Sequence, residues 1–433
     1  MDTPHLSLLA RLTTIGVALS LTACGARTSL RGEAADQLPD AAPLDAPAVD
    51  TPLVDTPAAT DVFVRPDVPP APDVPIPTDI VGLAAGGSHT CALRSSGVVV
   101  CWGSNRSGQL GDGSREPRRP SPVAVTGVTD AVAIAAGEQH SCAVRRDGQV
   151  LCWGNGQSGE LGDGRRGSRA TPALVRNLTE AVEVAAGRNH TCARRRDGQV
   201  WCWGSNGSGE LGRVATGGIS LIPVVAGVPN DSLQLVAGLG HTCSRSSSRT
   251  GLVLCWGRNF EGQLGNGLTE VLRSPEASPV AGLNSVEEIT AGQAHTCARR
   301  STGEVRCWGF NANGQLGDGT RSLRAQATSV RDLTDAAGIA AGANHTCARV
   351  AGGQVFCWGS NGVGQFGDGS RTDALVPTPT RNLPDADEVV AGLTHTCARR
   401  TNGQVLCWGH NEEGQLGDGT TERRLVPTPV LGL

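Results

Sequence analysis

The chain has no lysine and no tyrosine, a single methionine and only 5 phenylalanines in 433 residues. Without lysine there is no Schiff-base chemistry and no phosphate loop of the kind that needs one, so large enzyme classes drop out at once. With aromatic content at 3% but 59 Gly and 25 Pro, a helical bundle and a coiled coil are excluded as well. Charge is also sparse, at 18%, and it is unevenly divided: residues 1–77 carry 4 Arg against 10 acids, residues 78–433 carry 33 Arg against 31 acids. A main region so close to neutrality argues against nucleic acid as a partner. No apolar run reaches the length of a membrane-spanning helix.

The first segment reads as an address. Residues 12–23 form an uncharged, mostly apolar run after Arg11 that closes as Leu21-Thr22-Ala23-Cys24. It resembles the lipobox of bacterial lipoproteins, which implies cleavage after residue 23 and a lipid on the Cys24 sulfur; an ordinary cleaved signal peptide is the alternative. Either way the mature chain lies outside the cytoplasm, and a lipid at Cys24 is its expected membrane attachment. Residues 24–77 are rich in Ala, Asp, Val and Pro. Proline every few residues blocks helix and sheet ladders and like-charged Asp residues repel, so this stretch is expected to be a disordered, extended tether.

From residue 78 to 433 one unit recurs. A-G-x-x-H-[TS]-C-[AS] places histidines at His89, His140, His190, His241, His295, His345 and His395, and G-x-V-x-C-W-G follows with tryptophans at 102, 153, 203, 256, 308, 358 and 408. A spacing of about 50 residues signals a solenoid or propeller. The apolar column Leu83, Ile134, Val184, Leu235, Ile289, Ile339 and Val389 suits a first strand facing the core. His-Thr-Cys-Ala opens a second strand and Val-x-Cys-Trp-Gly closes a third, joined by tips such as Arg146-Asp147-Gly148, where Gly meets the positive φ that a bulged hairpin demands. Runs such as Leu425-Val426-Pro427-Thr428-Pro429-Val430 give a fourth, with prolines that belong at a sheet edge. The expected fold is all-β: seven blades of four antiparallel strands in a β-propeller.

The run H-T-C-A-x(5)-G-x-V-x-C-W-G-x-N-x-x-G-Q-L-G-D-G resembles the repeat of the regulator of chromosome condensation (RCC1) family, whose propellers have seven blades. The resemblance implies that strand exchange between the chain ends closes the ring, with Leu425 to Leu433 as the exchanged element.

The cysteines fall in pairs, Cys91 with Cys101, Cys142 with Cys152, Cys192 with Cys202, Cys243 with Cys255, Cys297 with Cys307, Cys347 with Cys357 and Cys397 with Cys407, and Cys24 is left over. With a three-residue tip Arg145 faces Gln149, and counting outward sets Cys142 opposite Cys152 at a non-hydrogen-bonded site, within disulfide range. The fourth repeat has a tip longer by two residues, and an even insertion preserves that register. A metal site in each blade is the rival reading, since a histidine precedes each first cysteine by two. Outside the cytoplasm thiols oxidise and the motif supplies no fourth ligand, so seven disulfides are expected, with no metal and no cofactor.

Residues repeated in every blade serve what every blade must do. The histidines are therefore read as hydrogen-bonded struts and the motif tryptophans as inter-blade core. The Asp-Gly pairs at Asp112, Asp163, Asp318, Asp368 and Asp418 lack a D-x-D-x-D run and are read as turns. Functional residues should lie where repeats differ. The loops after the G-D-G column carry Arg115, Arg118, Arg119, Arg165, Arg166, Arg169, Arg213, Arg273, Arg321, Arg324, Arg371, Arg423 and Arg424 against few acids, a candidate binding rim for an acidic partner or a solvated surface. No catalytic constellation rises above the repeat background. The expected role is a monomeric, non-enzymatic scaffold in the cell envelope that binds a protein or a cell-surface polymer. By resemblance two alternatives stand beside it: a secreted regulator or inhibitor of an extracellular enzyme, and guanine-nucleotide exchange as in the family's founding member, which fits poorly because no unit carries that member's wedge insertion.

Overall fold

The structure is a computed structural model that describes residues 79–214, 218–247 and 251–433. The expected signal segment, Cys24 and the Pro-rich stretch lie outside the described residues. Among the described residues every regular element is a β-strand, numbered β1 to β28 in chain order, and consecutive groups of four make seven antiparallel sheets. Blade 1 is β1 (Ile80–Ala85), β2 (His89–Arg94), β3 (Val99–Ser104) and β4 (Arg118–Ala124), with β1 innermost. Blade 7 is likewise complete in itself, running from β25 (Ala386–Ala391) to β28 (Arg424–Pro429).

The hairpin geometry follows from the tip residues. In blade 2, Arg145 N donates to Gln149 O at 2.8 Å, Gly148 N donates to Arg145 O at 2.9 Å, and Gly148 adopts φ 79°. That register sets Cys142 opposite Cys152, and the two are joined as a disulfide with Cα atoms 4.1 Å apart. The same bond recurs in the other six blades. Cys91 is joined to Cys101 in blade 1, Cys192 to Cys202 in blade 3, Cys297 to Cys307 in blade 5, Cys347 to Cys357 in blade 6 and Cys397 to Cys407 in blade 7. In the long-tipped fourth blade Cys243 still meets Cys255, so the two extra residues are absorbed by the tip and the register survives. All fourteen cysteines of the repeats are therefore paired as their spacing predicts.

The core lies between blades. Cys142, Val150, Cys152 and Leu161 of blade 2 pack with Val184, Ala193 and Trp203 of blade 3, and each junction repeats the arrangement. All seven motif tryptophans are buried. Six members of the inner-strand apolar column are buried, and Ile134 is partly buried against the junction of blades 1 and 2.

The ring closes without strand exchange, which corrects the expectation from the sequence. The first repeat already owns an outer strand, Arg118–Ala124, so Arg424–Pro429 has no vacancy to fill and pairs within its own blade. Blades 7 and 1 instead meet through the same side-chain core as any other pair, with Cys397, Val405, Cys407, Leu416 and Val430 against Leu83, Val100 and Trp102.

Candidate functional site

The motif residues build a seam that each blade makes with the next. The Gln109 carbonyl of blade 1 accepts Trp153 Nε1 and Ser141 Oγ of blade 2, both at 2.9 Å. The Ser141 hydroxyl in turn accepts His89 Nε2 at 2.8 Å. Because the hydroxyl proton goes to the carbonyl, the histidine must carry its proton on Nε2. The chain of His-to-hydroxyl bonds runs through every junction, from His140 to Thr191, His190 to Thr242, His241 to Thr296, His295 to Thr346 and His345 to Thr396, and returns from His395 to Thr90. Burial pushes these imidazoles down to about 3 or 4, so they stay neutral. Rings so enclosed, with Nε2 committed to a hydroxyl, act as struts. Among the described residues no three His, Cys, Asp or Glu side chains converge as a metal site.

Two repeats put glutamate where the other five have this glutamine. Glu160 is buried, accepting Asn155 Nδ2 at 3.0 Å and Ser158 N at 2.8 Å, and burial pushes its carboxyl up to about 7. Glu210 is raised by the same cause.

The β1–β2 turns and the β3–β4 loops emerge on one face, where the axial channel opens. Its mouth is walled by Ala and Gly backbone such as Ala85, Gly86, Ala136 and Gly137, with the Arg188–Glu138 ion pair at 3.1 Å beside it.

The arginines picked from the sequence divide into two groups. Arg119, Arg169, Arg324 and Arg424 each reach back to the Asp of their own G-D-G turn, at 3.4, 3.0, 2.8 and 2.6 Å to Asp112, Asp163, Asp318 and Asp418. Those four clasp a loop. Arg118, Arg321, Arg371 and Arg273 are exposed but spend a guanidinium nitrogen on a loop carbonyl. Arg423 is partly buried. Arg115, Arg165, Arg166 and Arg213 stand exposed.

The sequence reading missed an apolar surface beside some of these arginines. Of 15 exposed large apolar side chains among the described residues, nine belong to blades 3 and 4: Leu233 on the inner strand of blade 4, and eight others, namely Val214, then Ile219, Ile222 and Val225 on β12 (Ile219–Val225), then Phe260, Leu268, Val271 and Leu272. Blade 2 delivers Arg165 and Arg166 next to this strand, because Gly164 N donates to Leu221 O at 2.9 Å. Val214 and Val225 share a recess with Glu276 and Ala277 of blade 4. The local cause is legible: the third repeat reads Gly212-Arg213-Val214 and the fourth Gly265-Asn266-Gly267, so neither has the Asp that clasps an Arg elsewhere. Loss of the G-D-G aspartate in consecutive repeats was the available signal.

Comparison with known proteins agrees with this architecture. The family model for the RCC1-like domain matches residues 52–338, and models for the RCC1 repeat match 337–365, 387–415, 352–399 and 402–433. The ultraviolet-B receptor UVR8 of Arabidopsis thaliana is 31% identical over 251 residues, 58% of this chain and 45% of that protein. The human E3 ubiquitin-protein ligase HERC2 is 29% identical over 248 residues, 55% of this chain and 5% of that protein. The chain thus spans less than half the length of either relative. Among solved structures, human WBSCR16 superposes with a TM-score of 0.70 at 22% identity, covering 77% of this chain and 93% of that one. Prp20p from Saccharomyces cerevisiae gives 0.67 at 22%, covering 82% and 88%. At such identity the structures speak for the fold alone, but the family model covers more than half of the sequence: the chain belongs to the RCC1-like family of β-propellers.

Proposed function

We propose that the protein is a lipid-anchored, extracytoplasmic propeller that binds another macromolecule, through the surface formed by blades 2 to 4, and carries out no chemistry of its own. The observation behind it is the set of exposed apolar side chains on the outer strand and loops of blades 3 and 4, the repeats that abandon the G-D-G turn, with Arg165 and Arg166 next to β12. Exposed apolar side chains gathered in one region usually mark an interaction site, and the neighbouring arginines favour an acidic partner. Seven disulfides support an oxidising compartment, and the Leu21-Thr22-Ala23-Cys24 sequence supports attachment to a cell-envelope membrane by lipid at Cys24, with residues 24–77 as the spacer. The structure of Prp20p is described with its binding to Gsp1p and histones, which supports a protein as the partner class. Photo-crosslinking from Ile222 on the cell surface, with exposed Val426 on the outer strand of blade 7 as the control position, tests it. A partner captured from Ile222 alone is the expected result; equal capture from both positions, or none from either, removes the assignment.

A further inference from the structure

Outer strands are where a propeller exposes unpaired backbone, and this chain guards all but one of them. In every blade the third strand's cysteine faces a partner on the outer strand, as Cys307 of β19 (Val305–Gly309) faces Thr328 of β20 (Arg324–Ser329). The cysteine's other side is the non-hydrogen-bonded disulfide pair, so its N–H and C=O point to the outer strand and the facing residue points back. The residues just before and just after that partner therefore direct N–H and C=O out to solvent. Proline occupies at least one of those two positions in blades 1, 2, 3, 4, 6 and 7: Pro122, Pro172, Pro223, Pro279, Pro377 with Pro379, and Pro427 with Pro429. Proline there removes the outward donor, a recognised defence against edge pairing. Blade 5 has Ala327 and Ser329 instead. The loop of blade 4 covers only the top of this edge, where Gly267 N donates to Ala325 O at 2.9 Å.

The geometry points to β20 as a strand-pairing edge for a second copy of this chain, the two copies antiparallel about a two-fold axis through Thr328. In that register Ala327 of each copy faces Ser329 of the other, and the two pairs exchange four backbone hydrogen bonds, using every outward group that the missing prolines leave free. Charge fits the same register. Exposed Arg321 precedes the strand and exposed Arg331, Asp332 and Asp335 follow it, so an antiparallel arrangement brings the basic end of one edge to the net acidic end of the other. A foreign strand would find no such complement and no side-chain pockets, only Gln326, Thr328 and Ser329. An edge this short buries far less than a standard interface, so association is weak in solution and is favoured where copies are held together on a surface. This inference stands apart from the proposed binding surface on blades 2 to 4, and goes beyond the monomer expected from the sequence.

Sedimentation of the full chain from about 10 μM to about 1 mM tests it, alongside the double variant Ala327→Pro, Ser329→Pro. Blade 7 already holds proline at both equivalent positions, so the variant should fold, and an unchanged urea midpoint verifies that. The expected result is a concentration-dependent doubling of mass that the variant loses. Thr328→Cys, placed on the axis, should in addition give a covalent dimer. A wild type that stays monomeric throughout, or a variant that associates equally well, overturns the proposal. A monomeric wild type that takes up a peptide of the β20 sequence also overturns it, assigning the edge to a foreign strand.

Discussion

His395 Nε2 in the last blade lies 2.8 Å from Thr90 Oγ1 in the first, and Thr90 Oγ1 donates to the Gln415 carbonyl at 3.0 Å. Residues 305 positions apart thus make the same contact that joins every other pair of blades. If this is the closure, Thr90→Val should destabilise the fold by about 1–3 kcal/mol, the cost of stranding buried polar partners, and Thr242→Val at an interior junction should cost a similar amount. Urea midpoints of the two variants check it; a seam held by other means would leave Thr90→Val harmless.

Acid should dismantle the ring steeply. The seven imidazoles are held near 3 or 4 when folded but titrate at about 6.5 when unfolded, so their contribution is complete above 6.5 and is lost as pH falls toward the folded values. Each costs about 1.4 kcal/mol of native stability per pH unit within that window. Proton uptake on unfolding at about pH 5 should approach one per motif histidine, measurable by the slope of stability against pH.

Glu160 acts in the opposite direction. Its carboxyl is raised to about 7, so the proton-linked stability is full below the unfolded value near 4.5, declines as pH rises, and is gone above 7. Glu160→Gln, which copies the amide found in five other repeats, should match the wild type near pH 4 and exceed it by about 1–3 kcal/mol at pH 8. Equal stability of the two proteins at both pH values would refute this.

Glycine in the A-G pair is there for want of space. A Cβ on Gly342 would lie 2.2 Å from its own His345 Cε1 and 2.5 Å from the Gly392 carbonyl of the next blade. Gly342→Ala should therefore cost upwards of about 3 kcal/mol or prevent folding, whereas Gly362→Ala, with open space around it, should fold normally. Expression yield and thermal midpoint separate the two.

Reduction and anchoring give two further measurements. Reducing the denatured protein should add about 14 mass units for seven bridges, and Cys24→Ala should release the protein from the membrane fraction.

Repetition made the blade readable. One apolar column, one hairpin tip and one cysteine spacing defined three strands, and seven copies turned weak local signals into a single register. The pairing of Cys91 with Cys101, Cys192 with Cys202, Cys347 with Cys357 and Cys397 with Cys407 followed from counting outward from one tip, because every tip but the fourth has the same length. What was not readable lay between copies. Arg169, Arg324 and Arg424 looked like a binding rim, yet each sits six residues after a turn aspartate that holds it, a spacing that only means something once the loop is seen to fold back. The apolar surface of blades 3 and 4 was hidden for the opposite reason, since Val214 and Leu272 stand where the pattern lapses and pattern matching passes over them. The closure was not readable because Leu425 to Leu433 supplies an element with no counterpart before the first repeat, and only the strand pairing shows that it is the ordinary outer edge of blade 7.

The carbonyl of Gln109 completes the neighbouring sheet and not its own, and so do its six counterparts. A fragment cut between repeats would therefore end in a naked indole on one side and a stranded acceptor on the other, whichever boundary were chosen. Among the described residues no blade is a removable module: proteases, evolution by blade loss and engineers shortening the ring all face the same whole-or-nothing object.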